Sequence, residues 1–249
     1  MKKFELTSEF ITNVLGTKLF RIKALIEFGD VSAGELGGYI EKEENLAQDG
    51  DAWVCDNAEV CGDAEVCGDA EVYGNAKVYG NAKVYGNAKV YDNAKVRGDA
   101  EVYGNAKVYG NAKVYGNAKV CGDAEVYDNA KVRGDAEVYG NAKVYGNAKV
   151  YGNAKVCGDA EVYDNAWVCG DADYSTVKGF GRIFRTTTFF RKKDKDIGVS
   201  CGCFYGTLEE FRKKVKETHG ESKTAKEYLM LADLMEYKFS REMDEEVNQ

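Results

Sequence analysis

Proline does not occur in this sequence, and its absence beside 28 glycines is an odd pairing for an ordinary globular fold. Histidine occurs once, as His219, so chemistry that needs several imidazoles has no donors here. Long apolar runs are also missing. No stretch approaches the ~20 residues of a membrane span, and MKKFELTSEF has two lysines but no apolar run behind them, unlike a signal peptide. Basic excess is lacking as well: the formal net charge is −8, which argues against a general nucleic-acid binder with its basic field. Of eight cysteines, six fall one per repeat at positions otherwise held by Tyr or Arg. That is substitution on a template rather than a spaced disulfide framework, and it reads as a reduced, cytoplasmic protein.

What the sequence has in abundance is repetition. From Asp51 to Gly170 it runs in hexads of the form (N/D)-A-(K/E)-V-(Y/C/R)-(G/D), with valine at every sixth position from Val54 to Val168 and alanine at every sixth from Ala52 to Ala172. Within a hexad the alternation has period two, so Ala and Val share one face and Lys/Glu and Tyr the other. The Gly-Asn, Gly-Asp or Asp-Asn pairs that follow tolerate turns and left-handed backbone. Each hexad is therefore a short strand and a corner. Each buried valine contributes ~1.5–3 kcal/mol, largely offset by backbone ordering.

Charge columns set the number of hexads per coil. Residues 18 apart give Asp63, Asn81, Asp99, Asn117, Asp135, Asn153 and Asp171 at one corner. Glu65, Lys83, Glu101, Lys119, Glu137 and Lys155 alternate in another column, and Asp56, Gly74, Asp92, Gly110, Asp128, Gly146 and Asp164 in a third. With coils about 4.8 Å apart, this register keeps carboxylates from stacking on one another. Residues 91–126 and 127–162 are identical, a unit of two whole coils. The expected body is a three-sided parallel prism of about seven coils over residues 51–173. The pattern V-x-x-x-A-x, as in VYGNAK at residues 78–83, resembles the hexapeptide-repeat superfamily, which implies a left-handed parallel β-helix.

Residues 1–50 read as an N-terminal β-rich cap: a hairpin from Phe4 to Leu25 broken at Gly16 and Thr17, then Ile40 and Leu46 six apart as in an incipient coil. LGGYIEKEENL at residues 36–46 resembles the entry segment of uncharacterised repeat proteins of gut bacteria and their phages. Residues 174–249 read as a small α+β domain. Strands are expected at Thr187–Arg191 and Ile197–Phe204 around the turn at residues 193–196. A capping box at Thr207 and Glu210 opens a helix that stops at Gly220. A second helix carries Ala225, Tyr228, Leu229, Ala232, Met235 and Phe239 on one face.

The resemblance brings two activities to weigh, acyl transfer and carbonic anhydrase chemistry. Both rely on histidine, and His219 lies outside the repeats, so the expectation is a protein that is not an enzyme and takes no cofactor or metal. Cys201, Cys203 and His219 supply three donors where tetrahedral zinc wants four. Their plainer reading is two packed thiols and a helix-end imidazole. The more informative columns lie on the prism. Lys77, Lys95, Lys113, Lys131 and Lys149 stack beside Tyr79, Arg97, Tyr115, Arg133 and Tyr151, a basic and aromatic platform for phosphates and bases. Asp92 and Asp128, three residues before Lys95 and Lys131, are placed to neutralise part of it, and a solvated charged face is the plain alternative. A further column, Tyr73, Tyr91, Tyr109, Tyr127, Tyr145 and Tyr163, is a self-association surface or simply a stacked exterior. Trimers in the resembling superfamily imply a homo-oligomer. Thr-x-Thr ladders of ice-binding solenoids are absent. The functional expectation is a binding or scaffold solenoid, sharpened to a phage-type accessory protein holding a small anionic, nucleotide-like ligand. A structural spacer and an acyltransferase-like enzyme with a site between subunits are the alternatives.

Overall fold

The computed structural model describes residues 1–14, 16–181 and 185–240. Three strands open the chain, β1 (Phe4–Thr12), β2 (Lys18–Ala24) and β3 (Leu36–Ile40). Short strands β4 (Trp53–Val54) to β23 (Trp167–Val168) then wind a left-handed parallel β-solenoid of about seven coils. Every third strand falls in the same stack. Val90 lies between Val72 and Val108, and Lys95 between Lys77 and Lys113, so the period is 18 residues as the charge columns require.

The alternation within each hexad decides what fills the prism. Alanine and valine from Ala52 to Val168 point inward and are buried throughout. Between strands the chain turns through left-handed corners. Gly116 has φ 74°, and a Cβ there would lie 2.9 Å from the Gly134 amide nitrogen of the next coil. In one column aspartate alternates with glycine in the same conformation, with Asp92 at φ 59° and Asp128 at φ 56°, a region that short polar side chains enter at lower cost than most.

A stack of coils leaves unpaired backbone at both ends. Amides of outward-facing residues donate to the coil that follows, as from Cys55 N to Val72 O at 2.9 Å and from Glu59 N to Ala76 O at 2.9 Å. The first coil's matching carbonyls therefore have no preceding coil. The buried Lys3 ammonium donates to the carbonyls of Asp49, Gly50 and Ala52 at 3.3, 3.2 and 2.9 Å. Asn45 Nδ2 does the same for Gly62 and Ala64, at 3.0 and 2.8 Å. Phe4 and Phe28 pack edge-on to Trp53 and plug the apolar end. The hairpin of β1 and β2 continues the stack through β3, whose Ile40 sits on Val60, while Leu46 bridges to Val66. The incipient coil expected at Ile40 and Leu46 is thus present.

The other end is closed by an antiparallel meander of β24 (Tyr174–Phe180), β25 (Arg185–Arg191), β26 (Ile197–Cys201) and β27 (Phe204–Thr207). Neighbouring Phe189 and Phe190 face opposite ways. Phe190 is buried against the solenoid core, and Phe189 joins a second core under α1 (Leu208–His219) and α2 (Lys223–Ser240). Asp173 takes the amides of Cys169 and Gly170, and the Thr188 hydroxyl takes that of Glu161, so these three donors of the last coil are met as well. The capping box forms as expected, with Glu210 N donating to Thr207 Oγ1 at 3.2 Å and Thr207 N to Glu210 Oε2 at 2.8 Å. Two expectations need correcting. The single strand over residues 197–204 is two strands folded back at Gly202, whose φ of 63° makes the turn. Strand β24 has no counterpart in the sequence reading. On α2 the inward face also includes Leu231, and Leu229 is only half-buried.

Candidate anion-binding face

The three sides of the prism handle charge differently. On the side carrying the tyrosine column, Lys89 pairs with Glu71 at 2.8 Å and Lys107 with Glu125 at 3.5 Å. On a second side Lys83 pairs with Glu65 at 3.6 Å and Lys155 with Glu137 at 3.8 Å. On the third, Lys77, Lys95, Lys113, Lys131 and Lys149 lie in consecutive strands in direct register. Lys77 is neutralised by Glu59 at 2.7 Å. Among the described residues no carboxylate pairs with Lys95, Lys113, Lys131 or Lys149.

Asp92 and Asp128 do not supply the expected compensation, because the backbone has claimed them. Asp92 Oδ2 accepts from Gly110 N at 3.1 Å, and Asp128 Oδ2 from Gly146 N at 3.3 Å. Each carboxylate bonds to the coil that follows its own instead of pairing with the lysine three residues on. The column's charge therefore remains for solvent or a ligand.

The aromatic half of the face is arranged otherwise than a stacking platform. The Arg97 guanidinium lies 4.9 Å over the Tyr115 ring and that of Arg133 5.0 Å over Tyr151. Cationic groups thus occupy ring faces that a base would use, at ~0.5–1 kcal/mol per exposed contact. Tyr79 stands above Arg97 in the register. Burial, then the thiol of Cys169, pushes the Tyr151 hydroxyl up to about 12.

Three groups complete the face that the repeat pattern did not flag. Trp167 stands in the lysine column below Lys149. The Lys149 ammonium lies 4.8 Å over its ring and that of Lys193, from the turn after β25, 6.0 Å from the ring centre. An unbroken asparagine column from Asn57 to Asn165 runs along the adjoining corner, with Asn111 donating to Asn129 at 3.4 Å. Together Asn129, Lys131, Asn147, Lys149, Asn165, Trp167 and Lys193 line a cleft of about 300 Å³. The asparagine column was readable at the 18-residue spacing. Lys193 was not, because its position depends on how the meander docks.

The tyrosine column is a true stack. Tyr73, Tyr91, Tyr109, Tyr127 and Tyr145 follow one another at 4.8, 4.8, 4.9 and 4.9 Å with nearly parallel rings. Tyr163 ends it, edge-on to Phe190 and donating to Val199 O at 3.0 Å. Ring faces are spent on one another, and the Tyr109 hydroxyl donates to Glu125 at 3.3 Å.

In the terminal region Cys201, Cys203 and His219 line one apolar cavity. All eight cysteines are free thiols, and no group of three or more His, Cys, Asp or Glu among the described residues is placed to hold a metal ion. No helix among the described residues is long and apolar enough to cross a membrane. No family model matches the chain, and no curated protein does.

Proposed function

We propose that the chain is a non-catalytic binding scaffold whose basic face takes up a small phosphate-bearing ligand of nucleotide type. The observation that carries this reading is the run of Lys95, Lys113, Lys131 and Lys149, with no carboxylate paired to them among the described residues. On the other two sides each lysine has a glutamate as a register neighbour, and Lys83, Lys89, Lys107 and Lys155 pair with theirs. Two ammonium groups held at the coil spacing repel by about 0.9 kcal/mol in bulk water. An anion between them removes that cost and adds attraction. The cleft at Trp167 and Lys193 gives such a ligand a closed end, three lysines and a row of side-chain amides. Because cations lie over the rings of Tyr115, Tyr151 and Trp167 alike, recognition rests on charge and hydrogen bonding along the column. The finer reading, a phage-type accessory protein that sequesters such a ligand, rests on the basic face together with the resemblance of the entry segment, which by itself implies no activity. Self-association belongs to the same reading and is carried by the tyrosine side, where hydroxyl edges and paired charges form a flat, polar surface.

The test is a thermal-shift and calorimetric panel of nucleoside mono-, di- and triphosphates, cyclic nucleotides and pyrophosphate at low salt. A ligand at 100 times its dissociation constant adds about 2.7 kcal/mol of stability. The double variant Lys131→Glu, Lys149→Glu is expected to remove the shift without changing the fold, and Lys83→Glu to leave it intact. A panel without any response, or one indifferent to the double variant, overturns the proposal. Turnover of an acyl-CoA would replace it with an enzymatic reading.

A further inference from the structure

The terminal helices and meander enclose a second cavity, of about 400 Å³, that the basic face does not use. Its walls come from Phe204 at the start of β27, Phe211 and Val215 on α1, and Tyr228 on α2, with Cys201 and Cys203 beside the Gly202 turn. Phe211, Val215 and Tyr228 are buried, and the Tyr228 hydroxyl is turned to the Phe180 carbonyl at 3.4 Å. At the rim stand Lys214, Thr218 and His219. Among the described residues no carboxylate lines the cavity. Among the described residues Lys214 pairs with Glu217 alone, at 4.0 Å, on an exposed turn of helix. The cavity lies toward the C-terminal end of α1, whose partial negative charge opposes an anion. Lys216 in the last turn offsets it, and Gly220 N and Ser222 N cover the carbonyls of Lys216 and His219.

We propose that this cavity is a binding site for a small organic acid with an apolar body, its carboxylate at Lys214 and its hydrocarbon or aromatic part between Phe204, Phe211 and Tyr228. The volume suits a compact ligand, the walls favour an apolar body, and the rim charge selects an acid over a neutral molecule. The site is independent of the basic face, sharing no residue with it.

Octanoate and phenylacetate are the probes, each set against its matched alcohol, 1-octanol and 2-phenylethanol, in calorimetry on the full chain. The acids are expected to bind at least about tenfold more tightly than the alcohols, the order of one charge-assisted contact. Lys214→Glu, at an exposed position, is expected to remove that advantage while leaving alcohol binding in place. Cys203 is exposed and lines the cavity, whereas Cys169, also exposed, lies at the end of the solenoid. Octanoate should therefore slow iodoacetamide alkylation of Cys203 several-fold, read by peptide mass spectrometry, and leave Cys169 unchanged. Acids and alcohols binding equally would overturn the acid assignment. Absence of both binding and Cys203 protection would overturn the site.

Discussion

Three carbonyl oxygens at the open rim of the first coil converge on one ammonium group, and residue-scale energetics are clearest there. Lys3 is almost wholly buried, and burial lowers its pKa while Asp49, Asp51 and Asp69 act to raise it. Removing the ammonium leaves acceptors without donors, at about 1–3 kcal/mol each before water returns. Lys3→Met should therefore cost roughly 2–4 kcal/mol, seen as a lower urea midpoint with unchanged slope; a loss under about 0.5 kcal/mol, within the range of an ordinary surface substitution, would mean that solvent already serves these carbonyls. The same logic explains the aspartates at the left-handed corners. They look like free surface charge, yet Asp56, Asp92 and Asp128 each accept an amide from the coil that follows. A sequence sets the lysine and the aspartate three residues apart without saying that the carboxylate has a backbone partner, and so the neutralisation expected for Lys95 and Lys131 does not occur.

At the scale of the element, the tyrosine ladder behaves as one object with a measurable pH response. Burial, the leading cause at each ring, pushes Tyr91 and Tyr127 up to about 12 and raises Tyr73, Tyr109, Tyr145 and Tyr163. Below pH 10 the phenols are protonated in folded and unfolded chains alike, and the ladder contributes in full. Between pH 10 and 12 the unfolded chain ionises while the folded ladder resists, so stability falls as pH rises. Absorbance at 295 nm should show a tyrosine class titrating near 12, with the urea midpoint dropping over the same interval. Titration of every tyrosine near 10 would contradict this. The ladder was legible in the sequence because Val, Ala and Tyr repeat without slippage, which leaves one register for all side chains. The terminal meander was less legible. Gly179 and Gly202 interrupt the alternation of its strands, and Phe189 beside Phe190 serves two cores at once, which no periodicity encodes. The cleft at Lys193 was hidden for the same reason.

For the whole molecule, the identity of residues 91–126 and 127–162 makes length a separable variable. Deleting 127–162 places Tyr163 after Val126, where Tyr127 now stands, and gives every remaining side chain a neighbour of a type it already has in the stack. The shortened protein should fold cooperatively and lose about 9.6 Å of rod, two coil spacings, by small-angle scattering. Deleting 12 residues instead keeps Ala and Val inward, since every hexad shares that face, but moves every later hexad to another side. The chain should still fold, with the lysine row and the tyrosine ladder each broken at the junction. A deletion that is not a multiple of six turns Ala and Val out of the core and should unfold it. Because Lys95 and Lys113 recur as Lys131 and Lys149, unequal crossing-over between the two copies would lengthen or shorten the lysine row two places at a time. Both termini and the Trp167 cleft would come through untouched. The gene thus carries a dial for length: the number of lysines along the row can change in a single recombination event, with no new residue invented and the packing of both caps preserved.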